Sequence, residues 1–405
     1  MTRAPALLLA IALALVPCPA ALAAPTVILL SWDGLRHDFP DRTRTPALAR
    51  LAREGARAER LLPVFPSTTF PGHVSLATGT FPDRHGIVDN RFLDRARGRF
   101  DMSNDAGWIE AEPLWVAAER QGVPAAVFFW VGSETDWRGR GARHRRAPFD
   151  SGIGEAEKVR QILAWLALPE PERPRLVMSW WHGPDHAGHR EGPDGDGVDA
   201  ALREQDGHLA ALLAALDARG AWSDTTLLLV SDHGMTRVRA QAPVRERLAA
   251  AGSAARVEAG ASVAHVFADD PGELARAERV LADLPGVSVH RGDALPAALR
   301  LRHPTRTGDL VVIAEPGVVL REAGLDVRGW RWLRGLFGGG TGMHGYAPDH
   351  PDMAGVLLAR GRGVRAGTRL PAARMVDVAA TVARLLGIDP PAGSEGVPIA
   401  GIGGD

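Results

Sequence analysis

Short, continuously apolar runs alternate along this chain with segments of helical spacing. Residues 26–30 read TVILL and lead into SWDG. A strand without polar alternates is one covered on both faces, as in a parallel sheet. TPALARLAREG repeats its apolar residues at helical intervals and stops at Gly55, which predicts a helix. HVSLATG predicts a short helix entered through Phe70-Pro71, with proline near its first turn. PLWVAAERQG predicts a helix, PAAVFFW the strand after it, and RLVMSWW a strand running into HGPDHAGH. Residues 198–216 predict a long helix, and TTLLLVSDHG a strand ending in a polar, Gly-closed turn. AGVLLARG and VDVAATVARLLG predict a last strand and a last helix.

This alternation predicts an α/β fold, a doubly wound and mostly parallel sheet. From 243 to 336 the texture changes. SVAHVFA, ELARAERVLADL, VSVHR and GDLVVIAEPG predict a small α/β insertion, and the Gly-rich stretch 335–342 returns the chain to the core. The expected organisation is a leader over 1–23, core over 24–242, insertion over 243–336 and core again over 337–405.

The leader carries Arg3, an apolar stretch over 6–16 and small residues ending at Ala21-Leu22-Ala23, the layout of a secretory signal peptide. Its apolar stretch is short for a membrane span. A periplasmic or secreted protein without a stable membrane anchor is expected. Cys18, the sole cysteine, falls inside that leader, so disulfides and thiolate ligands are not expected in the mature chain. The formal net charge is −1. That offers no bulk attraction for polymeric nucleic acid or anionic lipid. Nearly all positive charge is arginine, and Lys158 is the only lysine. The one basic cluster, 138–146 (RGRGARHRR), reads first as a solvated loop.

The candidate chemistry lies in Gly-flanked segments. Asp33, Asp185, His189, Asp232, His233 and His344 occur in SWDG, HGPDHAGH, SDHG and TGMHGY. Ligands of doubly wound sheets gather at the carboxyl ends of strands, and Asp33, Asp185 and Asp232 each lie just past an apolar run. Oxygen and nitrogen donors of this kind suit two zinc ions. Thr69, in PSTTFPGH, is a hydroxyl that such ions could activate for attack on a phosphate ester. Each DxxxH or DH pair alone reads as a helix cap beside a surface histidine; the joint presence of the segments carries the argument. Thr68 or Thr69 can equally cap the following helix, and the residues alone do not separate Ser67, Thr68 and Thr69. His73 and His85 read as braces of their turns and His182 as a candidate support for a ligand. His303, Asp309 and His350 read as structural or exposed, and Trp180-Trp181 as core packing ahead of a pocket wall.

SWDGLR, TPALARLAREG, PVFPSTTFPGHVSLATGTFPDRHGIVDN, FFWVGSE, HGPDHAGH, VSDHGM and TGMHGY stand in one order over residues 27 to 350. In these segments the chain resembles the nucleotide pyrophosphatase/phosphodiesterase family of the alkaline phosphatase superfamily. The resemblance implies that Thr69 is the nucleophile and that Asp185, His189 and His344 hold one zinc. Asp33, Asp232 and His233 then hold the other, which also meets the Thr69 oxygen. It implies that Asn90 donates to a phosphate oxygen and that Phe70 lies beside a nucleotide base. Two departures stand out: Gly72 replaces the family's usual asparagine, and no base-stacking tyrosine can be placed after FFWVGSE, leaving Trp137 as the candidate. The implied function is an exported zinc-dependent phosphodiesterase or nucleotide pyrophosphatase. Its substrate would be a small phosphodiester or nucleotide, cleaved through a phospho-threonine. Alternatives are a phosphomonoesterase or phosphonate hydrolase on the same two-zinc site, or a non-catalytic zinc-binding scaffold. A sulfatase is disfavoured, because PSTTFPGH lacks a C/S-x-P-x-R motif.

Overall fold

A computed structural model describes residues 24–320 and 341–404. The expected leader with Cys18, and the Gly-rich return as far as residue 340, lie outside the described residues. The central sheet is built from β1 (Thr26–Trp32), β2 (Ala56–Ala58), β3 (Ala125–Phe128), β4 (His144–Arg146), β5 (Leu176–Trp181) and β6 (Thr225–Val230). A second sheet uses β7 (Arg256–Ala259), β8 (Val263–Phe267), β9 (Val287–Arg291) and β10 (Leu310–Ala314). The chain then returns to the central sheet as β11 (Leu357–Gly361) and β12 (Thr368–Leu370). The eight central strands lie in the order β12-β2-β11-β6-β1-β5-β3-β4. β1 pairs in parallel with both β5 and β6, and β3 in parallel with β5 and β4. The expected last strand, β11, runs antiparallel to β6 and β2, so the sheet is mixed but mostly parallel.

The continuous apolar runs have their expected cause. In β1, Val27 and Leu29 enter one core while Ile28, Leu30 and Trp32 enter another on the opposite face. β6 divides likewise, Leu228 and Val230 against Leu227 and Leu229. Side chains alternate across a strand, so two covered faces demand apolar residues at every position. Helices α1 (Pro46–Glu54), α4 (Glu155–Leu166) and α6 (Asp196–Ala218) cover one face through Leu51, Ile162 and Leu209. Helices α2 (Thr69–Thr78), α3 (Leu114–Arg120) and α8 (Asp377–Leu386) cover the other through Leu76, Trp115 and Val378. Each such buried side chain contributes roughly 1.5–3 kcal/mol. The helix expected from HVSLATG opens earlier, at Thr69, because Phe70 and Pro71 already belong to its first turn. This is the doubly wound, mostly parallel α/β architecture that the alternation of apolar runs and helical segments predicts.

The second sheet is antiparallel in the order β7-β8-β10-β9. Helix α7 (Pro271–Ala282) packs Ala277 and Leu281 on one face, in a core that also takes Tyr346 and Met353. From the other face Val263 and Val311 meet Phe65, Phe70 and Val74. The second sheet therefore buttresses the first turn of α2.

Candidate metal centre and active site

β5, β1 and β6 are adjacent and parallel, so their C-terminal ends open on one crevice. Asp33 follows β1 directly and Asp232-His233 follow β6. After β5, Gly183-Pro184 leads into the short helix α5 (Asp185–Glu191). Two glycines let these loops meet. Gly34 has φ +68° and would place a Cβ 2.9 Å from the Asp185 Cβ. Gly183 has φ +56° and would place one 2.1 Å from the Asp33 carbonyl oxygen.

Two groups of donors result, Asp185/His189/His344 and Asp33/Asp232/His233, with ligand atoms within 4.8 Å of one another in each group. His189 Nε2 lies 3.3 Å and His344 Nε2 3.7 Å from Asp185 Oδ1. His233 Nε2 lies 3.2 Å from Asp232 Oδ2 and 3.4 Å from Asp33 Oδ1. The His233 and His344 rings stack, centroids 3.5 Å apart, and join the two groups.

The hydrogen bonds behind these donors test the fit to a metal. His189 Nδ1 donates to the Gly342 carbonyl (3.1 Å), His344 Nδ1 to Ser67 (2.9 Å) and His233 Nδ1 to Gly234 (2.9 Å). A carbonyl only accepts, so each proton sits on Nδ1 and each Nε2 presents a lone pair, as in a metal-ligating imidazole. Asp33 Oδ1, Asp185 Oδ1 and Asp232 Oδ2 are buried without a hydrogen-bond partner. Unsatisfied carboxylate oxygens are costly away from water. Burial, and then the other carboxylates of the cluster, push Asp33 well above the usual carboxylate range. Burial is the first cause for Asp232 too, which rises against hydrogen bonds from backbone amides and alongside Asp185. Burial and the facing His344 push His233 well down. Crowded carboxylates and lone pairs without donors fit divalent cations, and Asp/His sets of this type suit zinc.

The structure places the three neighbouring hydroxyls apart. Ser67 donates to the Tyr346 carbonyl (2.9 Å) and Thr68 to Asp89 (3.3 Å). Thr69 opens α2 and puts its Oγ1 3.3 Å from His233 Nε2. Asn90 Oδ1 accepts the Phe70 amide (2.8 Å). This holds Asn90 beside the start of α2 and leaves its NH2 end for another acceptor. His73 donates through Nδ1 to the Thr69 carbonyl (2.8 Å) and its Nε2 meets Ser31 (2.9 Å), bracing the turn. At Gly72, a Cβ would approach the Asp232 Cβ to 3.1 Å, so the missing side chain admits the helix against the β6 loop.

A cavity of about 540 Å³ opens beside Thr69, walled by Phe70, Phe129, Val131, Phe149 and Trp180, with Met102, Arg91, Asp101 and Asn104 around it. Trp137 is not among its lining residues. The indole of Trp137 donates to the Ile109 carbonyl (2.9 Å) and its ring carries Arg138 at 4.3 Å. Phe129 and Met102 hold φ of +59° and +46°, a strained conformation for bulky residues and one that clusters at functional sites. Trp180 and Trp181 part company: Trp181 stacks on Trp32 in the core, whereas Trp180 reaches the cavity and donates to Asp33 Oδ2 (2.9 Å). His182 binds Glu155 through Nδ1 (2.7 Å) and the Ser151 carbonyl through Nε2 (3.0 Å). Sequence reasoning missed Phe149 and Met102, which lie in no quoted motif, and gave no role to Phe129, although it stands within FFWVGSE. Strand alternation at 180 and 181 was the one signal available for Trp180.

Fold and site together place the Thr69 hydroxyl beside His233, in a strand-end crevice that gathers two groups of donors able to hold metal ions. Residues 27–347 match the family model described as type I phosphodiesterase / nucleotide pyrophosphatase, and the chain belongs to that family. It is 36% identical over 218 residues, 52% of its length, to an uncharacterized pyrophosphatase/phosphodiesterase of Schizosaccharomyces pombe, spanning 44% of that protein. It is 27% identical over 375 residues, 90% of its length, to the bis(5'-adenosyl)-triphosphatase of Xenopus laevis, spanning 78% of it. Human ectonucleotide pyrophosphatase/phosphodiesterase 5 superposes with a TM-score of 0.82 at 24% identity, covering 90% of this chain and 96% of that one. An inactive threonine-to-alanine variant of the murine counterpart, in complex with AMP, superposes equally well at 23% identity. The chain spans less than half the length of the fission-yeast relative and about a quarter of human family member 1.

Proposed function

We propose that this protein is an exported, metal-dependent phosphodiesterase or nucleotide pyrophosphatase with Thr69 as its nucleophile. One observation carries the reading. Three imidazoles tied back through Nδ1 and three unpartnered carboxylate oxygens converge beside a hydroxyl at a helix N-terminus. Asp185, His189 and His344 would hold one zinc, and Asp33, Asp232 and His233 the other. Such ions, when bound, lower the pKa of a nearby hydroxyl and stabilise charge on phosphate oxygens.

Thr69 Oγ attacks phosphorus; as the Oγ–P bond forms, the bond to the leaving oxygen breaks and the alcohol or nucleotide departs. A water then attacks the phospho-threonine, restores the hydroxyl and releases the phosphomonoester. The start of the ten-residue α2 favours negative charge on Oγ. The Asn90 NH2 donates to a non-bridging oxygen. Phe70 and the aromatic cavity take the organic substituent, and a base or another flat apolar group fits that lining.

The charge of the cavity favours a diester over the phosphomonoester and phosphonate readings. Its one lining arginine, Arg91, pairs with Asp101 at 2.5 Å, which leaves no net positive charge for a dianion. The 138–146 cluster does not supply one, since none of its residues lines the cavity. Nucleotide substrates draw further support from the relatives, a bis(5'-adenosyl)-triphosphatase and an AMP complex. No helix among the described residues is long and apolar enough to cross a membrane. Export rests on the signal-peptide pattern of residues 1–23.

The test measures bound metal in the purified protein, then kcat/KM on bis-p-nitrophenyl phosphate, p-nitrophenyl phosphate, the p-nitrophenyl ester of thymidine 5′-phosphate and p-nitrophenylphosphorylcholine. Zinc near two per chain and a preference for diesters over the monoester are expected. A protein that takes up zinc but turns over none of these esters would be a scaffold, and the proposal would fall.

A further inference from the structure

The chain's only lysine is buried. Lys158 lies on α4 with no solvent exposure, between Glu155 and the residues that carry α4 into the core. An apolar residue would pack there without desolvating a charge, whereas a buried ammonium is retained only against strong partners. Lys158 Nζ lies 3.3 Å from Glu155 Oε1, 3.5 Å from His182 Nδ1 and 4.5 Å from the centre of the Trp180 ring. Burial lowers this ammonium to about 8, opposed by Glu155, so it remains cationic at neutral pH.

Every partner leads toward the active site. Glu155 Oε1 accepts both the His182 amide (2.9 Å) and His182 Nδ1 (2.7 Å). His182 packs its ring on Trp180, centroids 4.7 Å apart, and its Nε2 holds the Ser151 carbonyl (3.0 Å). That bond pins the loop whose Phe149 packs on Trp180 at the cavity mouth, centroids 5.5 Å apart. Trp180 itself donates to Asp33 Oδ2. A cation over an indole is held by the ring quadrupole, and the hold strengthens away from water. The plane of the indole fixes where its N–H points.

We propose that Lys158 is a positioning residue: through its cation–π contact it orients the Trp180 ring, and the Trp180 N–H in turn fixes Asp33 as a metal ligand. One element then joins the cavity wall to the metal shell. This inference rests on the reading of Asp33 as a zinc ligand.

The test uses the full chain loaded with zinc. Wild type, Lys158→Met, Lys158→Arg, Trp180→Phe and the Lys158→Met/Trp180→Phe double variant are compared. Zinc retention against a competing chelator is read first, then kcat and KM on bis-p-nitrophenyl phosphate. Groups that orient a ligand typically change metal affinity or activity by 10–100-fold. Lys158→Met and Trp180→Phe are each expected to weaken zinc retention by roughly 10-fold or more, with kcat falling more than KM rises. The double variant should be no worse than the worse single, because both break one chain of contacts. Lys158→Arg should recover part of the loss. Wild-type retention in Lys158→Met, or losses that simply add, would overturn the proposal. If Lys158→Met does not fold, Trp180→Phe decides, since its ring still covers the ammonium and only the N–H is gone; unchanged zinc retention there overturns it as well. Wild-type protein that holds no zinc would remove both the functional reading and this inference, whereas active wild type with indistinguishable variants removes this inference alone.

Discussion

Two of the places where the chain buries histidine differ in their wiring. At the strand-end crevice, His233 and His344 send Nδ1–H to backbone carbonyls and turn Nε2 toward carboxylates. On the second sheet, His265 is equally buried, but its Nδ1 accepts the Gly308 amide (3.2 Å). Its proton therefore sits on Nε2, which has no partner among the described residues. Burial lowers both His344 and His265 to about 4, so burial and a shifted pKa do not tell a ligand from a core histidine. The wiring separates this pair: His344, tied back through a donating Nδ1, offers a lone pair at Nε2, and His265, accepting at Nδ1, offers an N–H; His73 is also tied back through Nδ1, but its Nε2 is taken by Ser31.

The largest effect that would break this contrast is at the crevice. Chelation of the metal, or His233→Ala, should abolish turnover of bis-p-nitrophenyl phosphate, with zinc restoring it only to the chelated wild type. His265→Gln should leave metal content and turnover at wild-type levels. Next in size, Thr69→Ala should lower kcat by about a million-fold, the scale of losing a nucleophile, while zinc content measured by elemental analysis stays unchanged. Asn90→Ala should lower kcat by roughly 100–1,000-fold, or about 3–4 kcal/mol, as for an oxyanion donor. Steady-state kinetics would separate these two if the metal shell and the phosphate donor are distinct.

The smallest effect concerns stability alone. An unfolded histidine takes its proton near pH 6.5, whereas folded His265 stays neutral down to about 4. Between those values the unfolded chain binds more protons, so stability falls as pH falls from 6.5 through 4. The full difference is about 3 kcal/mol. Denaturant titrations across that range should show a shallower acid loss in His265→Gln, with no change in activity at pH 7.

Much of this was legible in the residues. The runs ahead of Asp33 and Asp232 are apolar at successive positions because both faces of the sheet are covered, and that requirement survives in any order of letters. The donors were legible because strands of one sheet deliver their ends to one crevice. What the letters withheld is where the second contact of each side chain goes. The carbonyls that set the histidine tautomers belong to Ser67, Gly342 and Gly234, two of them far away in sequence. The cavity walls were hidden for another reason. Phe129 and Met102 are turned by positive φ, and Phe149 arrives on a loop pinned by His182. The aromatic that motif position favours, Trp137, already spends its N–H on Ile109.

The glycines at 34 and 183 interlock the loops after β1 and β5 so closely that neither has room for a methyl group. The separation of the two donor groups is thus a steric constant of the backbone rather than a choice made by the ligands. A protein that kept all six donors and gained one carbon at either glycine would present the same functional groups at the wrong span for a single phosphate.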